Sequence, residues 1–407
     1  MPLSAPSAWL PAVWLLATTS ISPVSSLVAA EATPRETGRP YLLHECKPGP
    51  WGKLSYFYFY LEAPDHVVAQ FPMPSPVTRW TFDGRGFDTV RGRLSEAGVP
   101  SGTLDRLFSE RRMVKDARHV HLFPTRSDLE SLSPTVRSTV YAELASLPAN
   151  EFHYSPIFFL SDTVEEWAQD SQLPSRIVEK IKLMSYKVGE ALVFSDIPYL
   201  VSIAESDAEA RMLVRKMTRV RTLMARLEIS KTESVAPLLA YWSTGLGLRR
   251  KELEPLINAI SQTEGVSHLD LLHLLPPLPR KLLYTYPDAS HAAMGRLPDC
   301  HWTCLNFFNF QPQNYFLDTR LATSAVLGSF DRVSTPYRYG DILMFVNRDG
   351  QAVHSATYIA DDLAYTKNGM TMMAPWVVMR LGDLQKLYGV SPEGTRIEGF
   401  RHKVPSP

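Results

Sequence analysis

Between Tyr339 and Gly369 short apolar runs alternate with turn residues, and this predicts three successive strands. The first is Tyr339–Val346, closed by the turn Asn347-Arg348-Asp349-Gly350. The second is Gln351–Ile359, closed by Asp361-Asp362, and the third is Leu363–Gly369. Just upstream, Pro298-Asp299-Cys300-His301-Trp302-Thr303-Cys304-Leu305-Asn306 reads as a turn followed by a helix. A helix packed on an antiparallel sheet is therefore the expected core of the last part of the chain, within an α+β fold whose middle region is helical. Cys300 begins the helix and His354 lies on the second strand. A thiol at a helix start facing an imidazole on a sheet is the physical minimum for a cysteine nucleophile.

The rest of the chain bounds this reading. With 407 residues, 45% of them hydrophobic, the chain can fill more than one core. The 42 basic and 42 acidic residues cancel, so no global field recruits nucleic acid or an acidic membrane. The 32 prolines point to many short connections and irregular segments. The apolar run Ala8–Ala17 and the small residues Val28-Ala29-Ala30 before Glu31 predict a signal peptide over 1–30, although no lysine or arginine precedes the run. No later run approaches the ~20 apolar residues of a membrane helix. A secreted or periplasmic protein with no membrane association after signal removal is expected. Three cysteines are too few for a disulfide scaffold, and whether Cys46 meets Cys304 is open.

Residues 31–150 read as an N-terminal α+β region. Ser55–Leu61 alternates tyrosine and phenylalanine, a strand with two aromatic faces that should both be covered. His119 and His121 share a strand face and could ligate a metal, but no third ligand is evident in the sequence, and two polar strand positions are the plainer reading. Residues 151–285 read as helical. Ser206 can cap a helix with Glu209 reaching back, and Leu213, Met217, Val220, Met224 and Leu227 follow as a buried stripe. The accompanying Arg211, Arg215, Lys216, Arg219, Arg221 and Arg226 are either paired with acids from neighbouring elements or a cradle for an anionic polymer. Pro276, Pro277 and Pro279 end this region, and 286–400 forms the last domain.

Within that domain Asp299 is placed to cap the helix of Cys300, where unpaired N–H groups and a partial positive charge favour thiolate over thiol. Cys304, one turn later, is read as a core residue. A general base needs a third group to fix its tautomer. A strict two-residue turn at Asp361-Asp362 puts Tyr365 and Lys367 on the face of His354, whereas one extra residue brings Thr366 and Asn368 there. Lysine cannot accept the imidazole proton but an amide oxygen can, so Asn368 is preferred, with Thr366 next.

The order Asp299-Cys300 at a helix start, Gly340-Asp341 opening a strand, and His354-x-x-x-Tyr358-Ile359 on the next strand resembles the NlpC/P60 cysteine peptidases over residues 290–390. The resemblance implies a permuted papain-like fold with Cys300 as nucleophile, His354 as base and the Thr366–Asn368 segment as the third polar position. It also implies an exported bacterial peptidase or amidase acting on a peptide or cell-wall peptide. The family's usual Asp-Cys-Ser-Gly is here Asp299-Cys300-His301-Trp302, with bulky Trp302 where glycine is common. Neither a cofactor nor a nucleic-acid partner is expected, and oligomeric state is open. Two other readings compete: a non-catalytic binding module with the same fold, and a metal site from Cys300, Cys304, His301 and His354.

Overall fold

Strand β1 (His44–Glu45) leads into β2 (Lys53–Leu61), the tyrosine–phenylalanine run, in a computed structural model describing residues 41–403 except 85, 244–249, 294 and 392–393. The signal-peptide expectation over 1–30 lies outside the described residues. Both faces of β2 are covered. Leu54 and Tyr56 are buried, while Tyr41 stacks on Phe57 and Tyr284 meets Phe59 edge-on.

The chain then builds a separate core. Strands β3 (Trp80–Asp83), β4 (Met113–Lys115) and β5 (His119–Leu122) form a small sheet in the order β3-β5-β4. Strands β6 (Ile157–Phe158), β7 (Tyr186–Val188) and β8 (Ala191–Phe194) form another in the order β6-β8-β7. Helices Pro134–Leu144 and Ser175–Met184 pack with them around Trp80, Tyr141, Trp167 and Phe194. Arg137 is fully buried at the centre, donating to Asp196 Oδ2 (3.1 Å), to the Tyr141 hydroxyl (2.9 Å) and to the Leu129 carbonyl (2.7 Å).

The predicted helix after Ser206 is shorter than the apolar stripe suggested. It spans Asp207–Lys216, and β9 (Val220–Glu228) follows, paired antiparallel with β2 along its whole length. Leu223, Ala225 and Leu227 alternate inward, a period-two pattern that the spacing of Val220, Met224 and Leu227 masked. Tertiary pairing overrode local periodicity. Ser206 does cap the helix, accepting from the Glu209 N–H, while the Glu209 carboxylate accepts from the Glu205 N–H rather than from that of the cap. The basic side chains are mostly paired. Lys216 and Arg219 bind Glu62, Arg215 binds Asp65, and Arg221 faces Glu166. That pairing commits four of the six basic side chains to neighbouring acids.

Strand β10 (His268–Asp270) pairs with β9, completing the sheet β1-β2-β9-β10. The last six strands are β11 (Phe330–Val333), β12 (Ile342–Val346), β13 (Ala352–Ala360), β14 (Leu363–Lys367), β15 (Trp376–Arg380) and β16 (Arg396–His402). They form one sheet, ordered β11-β16-β12-β13-β14-β15, with every neighbour antiparallel. The three predicted strands are its β12, β13 and β14. The fold is mixed, with helices and antiparallel sheets, and the region 151–285 contributes strands as well as helices. Leu223, Leu227, Trp242, Ile257 and Leu278 pack in one cluster with Trp302, Ile342 and Trp376, so a boundary at 285 divides a single core. The boundary at 150 likewise divides the core that holds both Tyr141 and Phe194. Among the described residues no helix is long and apolar enough to cross a membrane.

Candidate active site

Two turns aim the sheet and the helix at each other. Gly340 adopts φ +88°, and a Cβ there would sit 2.1 Å from the Phe308 ring, so the close approach of that ring requires glycine. Asp341 is buried and fixes the turn: it accepts from the Arg338 N–H (2.7 Å) and takes both arms of Arg401 (2.8 and 2.7 Å). Asp299 caps the helix Cys300–Leu305 as expected, its Oδ1 accepting from the Trp302 N–H at 2.7 Å. The helix runs along β13, with His301 Nδ1 3.1 Å from Ser355 Oγ. On β15, two strands away, Trp376 Nε1 donates to Thr303 Oγ1 at 3.0 Å.

The ladder decides what shares a face with what. Ile342, Thr357, Tyr365 and Val378 are in register, as are Lys367 and Trp376, and these face the cysteine helix. His354 is opposite Phe345 and belongs to the other face, with Ala356, Ala364, Val377 and Met379. There the helix Leu381–Leu387 covers the sheet, and the Tyr388 ring stacks on His354 with centroids 4.0 Å apart and planes 11° from parallel. The sheet therefore faces the helix, but the imidazole itself leaves from the opposite face. A charge on Cys300 is felt both by Tyr388, from the face of His354, and by Lys367, from the face of the helix.

The polar side chain beside the imidazole is Thr366. Its Oγ1 lies 3.1 Å from His354 Nε2 and donates its one hydrogen to the Ser355 carbonyl at 2.8 Å. With that hydrogen committed, Thr366 can only accept from the imidazole, so Nε2 carries the ring proton and Nδ1 holds the lone pair. Nδ1 is buried and has no hydrogen-bond partner. Asn368, preferred from the sequence, does not reach His354: its amide nitrogen lies 3.0 Å from the Met379 sulfur, and its oxygen accepts from the Tyr388 hydroxyl. A register shift in β13 between Tyr358 and Ala360 inserts one residue and brings Thr366, rather than Lys367, onto the face of His354. Asn368 lies just beyond the end of β14 and serves to hold Tyr388 instead.

Lys367 is a neighbour whose importance the sequence did not single out. It is 0% exposed, donates to the carbonyls of Gly369 (2.6 Å) and Thr371 (3.1 Å), and lies over the Trp376 ring. Burial pulls its ammonium down to about 8, opposed by Asp299 and Cys300. The residue pattern marks only a lysine on a strand; the ladder places it beside the helix start.

Cys304 is buried against Ser355 and Thr357, and burial pushes its thiol up to about 12, in keeping with a core residue. Burial likewise pushes Cys46 up to about 12. All three cysteines are unpaired, so Cys46 and Cys304 do not meet in a disulfide. Nor do Cys300, Cys304, His301 and His354 converge on an ion, since His301 is held by Ser355 and His354 leaves from the other face. Trp302, three per cent exposed, lines a cleft of about 390 Å³ with Lys281, His291, Phe310 and Asn314. Cys300 does not line that cleft and is itself only 6% exposed.

Comparison with protein-family models, with curated proteins and with solved structures finds no match for this chain.

Proposed function

We propose that this protein is a cysteine hydrolase of the permuted papain-like, NlpC/P60-like type, exported by a bacterium and cleaving an amide bond in a cell-wall peptide. The observation that carries the reading is the hydrogen bonding of His354. Thr366, its own hydrogen given to the Ser355 carbonyl, can accept a hydrogen bond from Nε2–H, which leaves a buried Nδ1 with a free lone pair and no partner among the described residues. In the proposed reaction Nδ1 takes the proton of Cys300 as Sγ attacks the amide carbonyl carbon. The imidazolium then gives that proton to the leaving amine as the C–N bond breaks, and water hydrolyses the thioester to a carboxylic acid and free thiol. In this reading the Cys300 N–H, at the first position of its helix, and the buried ammonium of Lys367 serve as donors to the developing oxyanion.

A second reading is favoured by one observation. Cys300 and His354 are nearly inaccessible, and Tyr388 lies flat on the imidazole. A module that keeps the fold but only binds its partner would have this closed arrangement. Alkylation by iodoacetamide, followed peptide by peptide in wild type and in His354→Ala, separates the two. Selective reaction at Cys300 whose pH dependence changes without His354 supports the hydrolase. Reaction no faster than at Cys46 or Cys304, and unaltered in His354→Ala, rejects it in favour of the binding module.

A further inference from the structure

The β4–β5 hairpin carries a second cluster, remote in sequence from the cysteine helix. His119 and His121 project from one face of β5, and the hairpin turn swings Asp116 back over them. One ligand atom from each of the three lies within 4.8 Å of the others. His121 Nε2 stands 3.0 Å from Asp116 Oδ2, and His119 Nδ1 stands 3.7 Å from Asp116 Oδ1. Nitrogen and oxygen ligands about 2.0–2.2 Å from a tetrahedral zinc ion are roughly 3.3 Å apart, a value these separations straddle.

The surroundings orient the ligands. His121 Nδ1 lies 3.2 Å from Thr81 Oγ1 on the adjacent strand β3, which leaves Nε2 to point at Asp116. Thr81 is in turn fixed by Asn150, whose side chain accepts from its N–H and donates to its carbonyl, both at 2.8 Å. Asp116 is fixed by the backbone: Oδ1 accepts from the N–H groups of Arg118 and His119 at 2.7 Å each, leaving Oδ2 for the imidazole side. Ligating histidines commonly have their second nitrogen held in this way. A turn aspartate by itself has no need of two imidazoles, nor of a buried threonine–asparagine pair setting the tilt of one of them.

We propose that Asp116, His119 and His121 form a zinc site, with Thr81 and Asn150 positioning His121. Two nitrogens and one carboxylate suit a borderline cation such as Zn²⁺ rather than calcium or magnesium, which prefer all-oxygen shells. Three protein ligands on a partly exposed hairpin leave a coordination position for water or for an anionic group of a partner.

The test is a titration of the full chain with Zn²⁺ in competition with a chromophoric chelator, repeated on variants. The expected result is one tight equivalent that is lost in His121→Ala and in His119→Ala. Asp116→Asn, which keeps the turn acceptor but removes the charge, should weaken binding at least tenfold. Thr81→Val should weaken it by about 10–100-fold. Because free thiols also bind zinc, Cys300→Ala is titrated in parallel and should retain the tight equivalent. Circular dichroism and thermal melts confirm that each variant is folded, and zinc should raise the melting temperature of wild type but not of His121→Ala. Absence of a tight equivalent in wild type, or its survival in His119→Ala and His121→Ala, overturns the proposal.

Discussion

His153 and His354 are both buried, both lie against a tyrosine ring, and both leave one ring nitrogen without a partner among the described residues, yet their surroundings differ. His153 meets the edge of Tyr141, the residue that shares Asp196 with the buried Arg137. Burial, then the nearby arginine charge, pull the imidazole down to about 3, so it stays neutral. The three cysteines lie outside its core, and it acts as a polar wedge in a network that organises the packing between Trp80 and Met217. His354 has Thr366 on one nitrogen and, among the described residues, no partner on the other. An orphaned buried nitrogen is thus not in itself a sign of chemistry. What it is aimed toward, and which hydroxyl sets its tautomer, make the difference.

The sharpest way to break this comparison is to remove each histidine in turn. Cys300→Ser should abolish hydrolysis of a cell-wall peptide, and His354→Ala should lower its rate by about 10²–10⁴-fold. His153→Phe should leave that rate within about twofold, read as amine release at saturating enzyme. Comparable losses from both histidines would erase the distinction.

Stability should show the reverse ranking. Arg137→Met leaves Asp196 buried without its cation and should cost about 3–5 kcal/mol in urea unfolding. Thr366→Val, which removes a single buried hydroxyl, should cost only about 1 kcal/mol while still impairing catalysis.

His153 also gives its core a pH response. For His153 the folded value, about 3, lies below the ordinary 6.5, so the unfolded chain takes up the proton first as pH falls. The stability that its neutral form lends is complete above pH 6.5 and is lost progressively as pH drops toward 3. A series of urea titrations over that window should show a slope that flattens in His153→Phe. An unchanged slope would mean that His153 is not held neutral by the core.

The smallest effect is expected at Lys367. Lys367→Met keeps the stem over Trp376 but removes the ammonium beside Cys300, so iodoacetamide should react several-fold more slowly there at neutral pH. No change in rate would place the lysine outside the electrostatics of the thiol.

Much of this was legible in the residues and some of it was not. The meander of β12, β13 and β14, the cap by Asp299, the tight turn at Gly340-Asp341 and the burial of Cys304 all follow from local patterns: alternation, a side-chain oxygen before a helix, a glycine before a buried aspartate. The strand β9 was hidden because Leu213, Met217, Val220, Met224 and Leu227 satisfy a helical stripe as well, and only pairing with β2 broke the tie. A single inserted residue in β13, which no propensity in Tyr358-Ile359-Ala360 announces, chose Thr366 over Lys367, and Asn368 lost because it lies past the end of β14, where its side chain meets Met379 and Tyr388. Asp116 was missed as a partner of His119 and His121 because a hairpin turn, not strand spacing, brings it to them.

The sequence by itself determined the short-range facts: which segments extend and where the cysteine helix starts. Those depend on residues a few positions apart, whose preferences add along the chain. The tertiary structure alone decided which face of the sheet each side chain leaves from, which nitrogen of His354 carries the proton, and that Lys367 lies buried at the helix start. Such facts depend on ladder register, and since side chains alternate with period two, one inserted residue reverses every face beyond it.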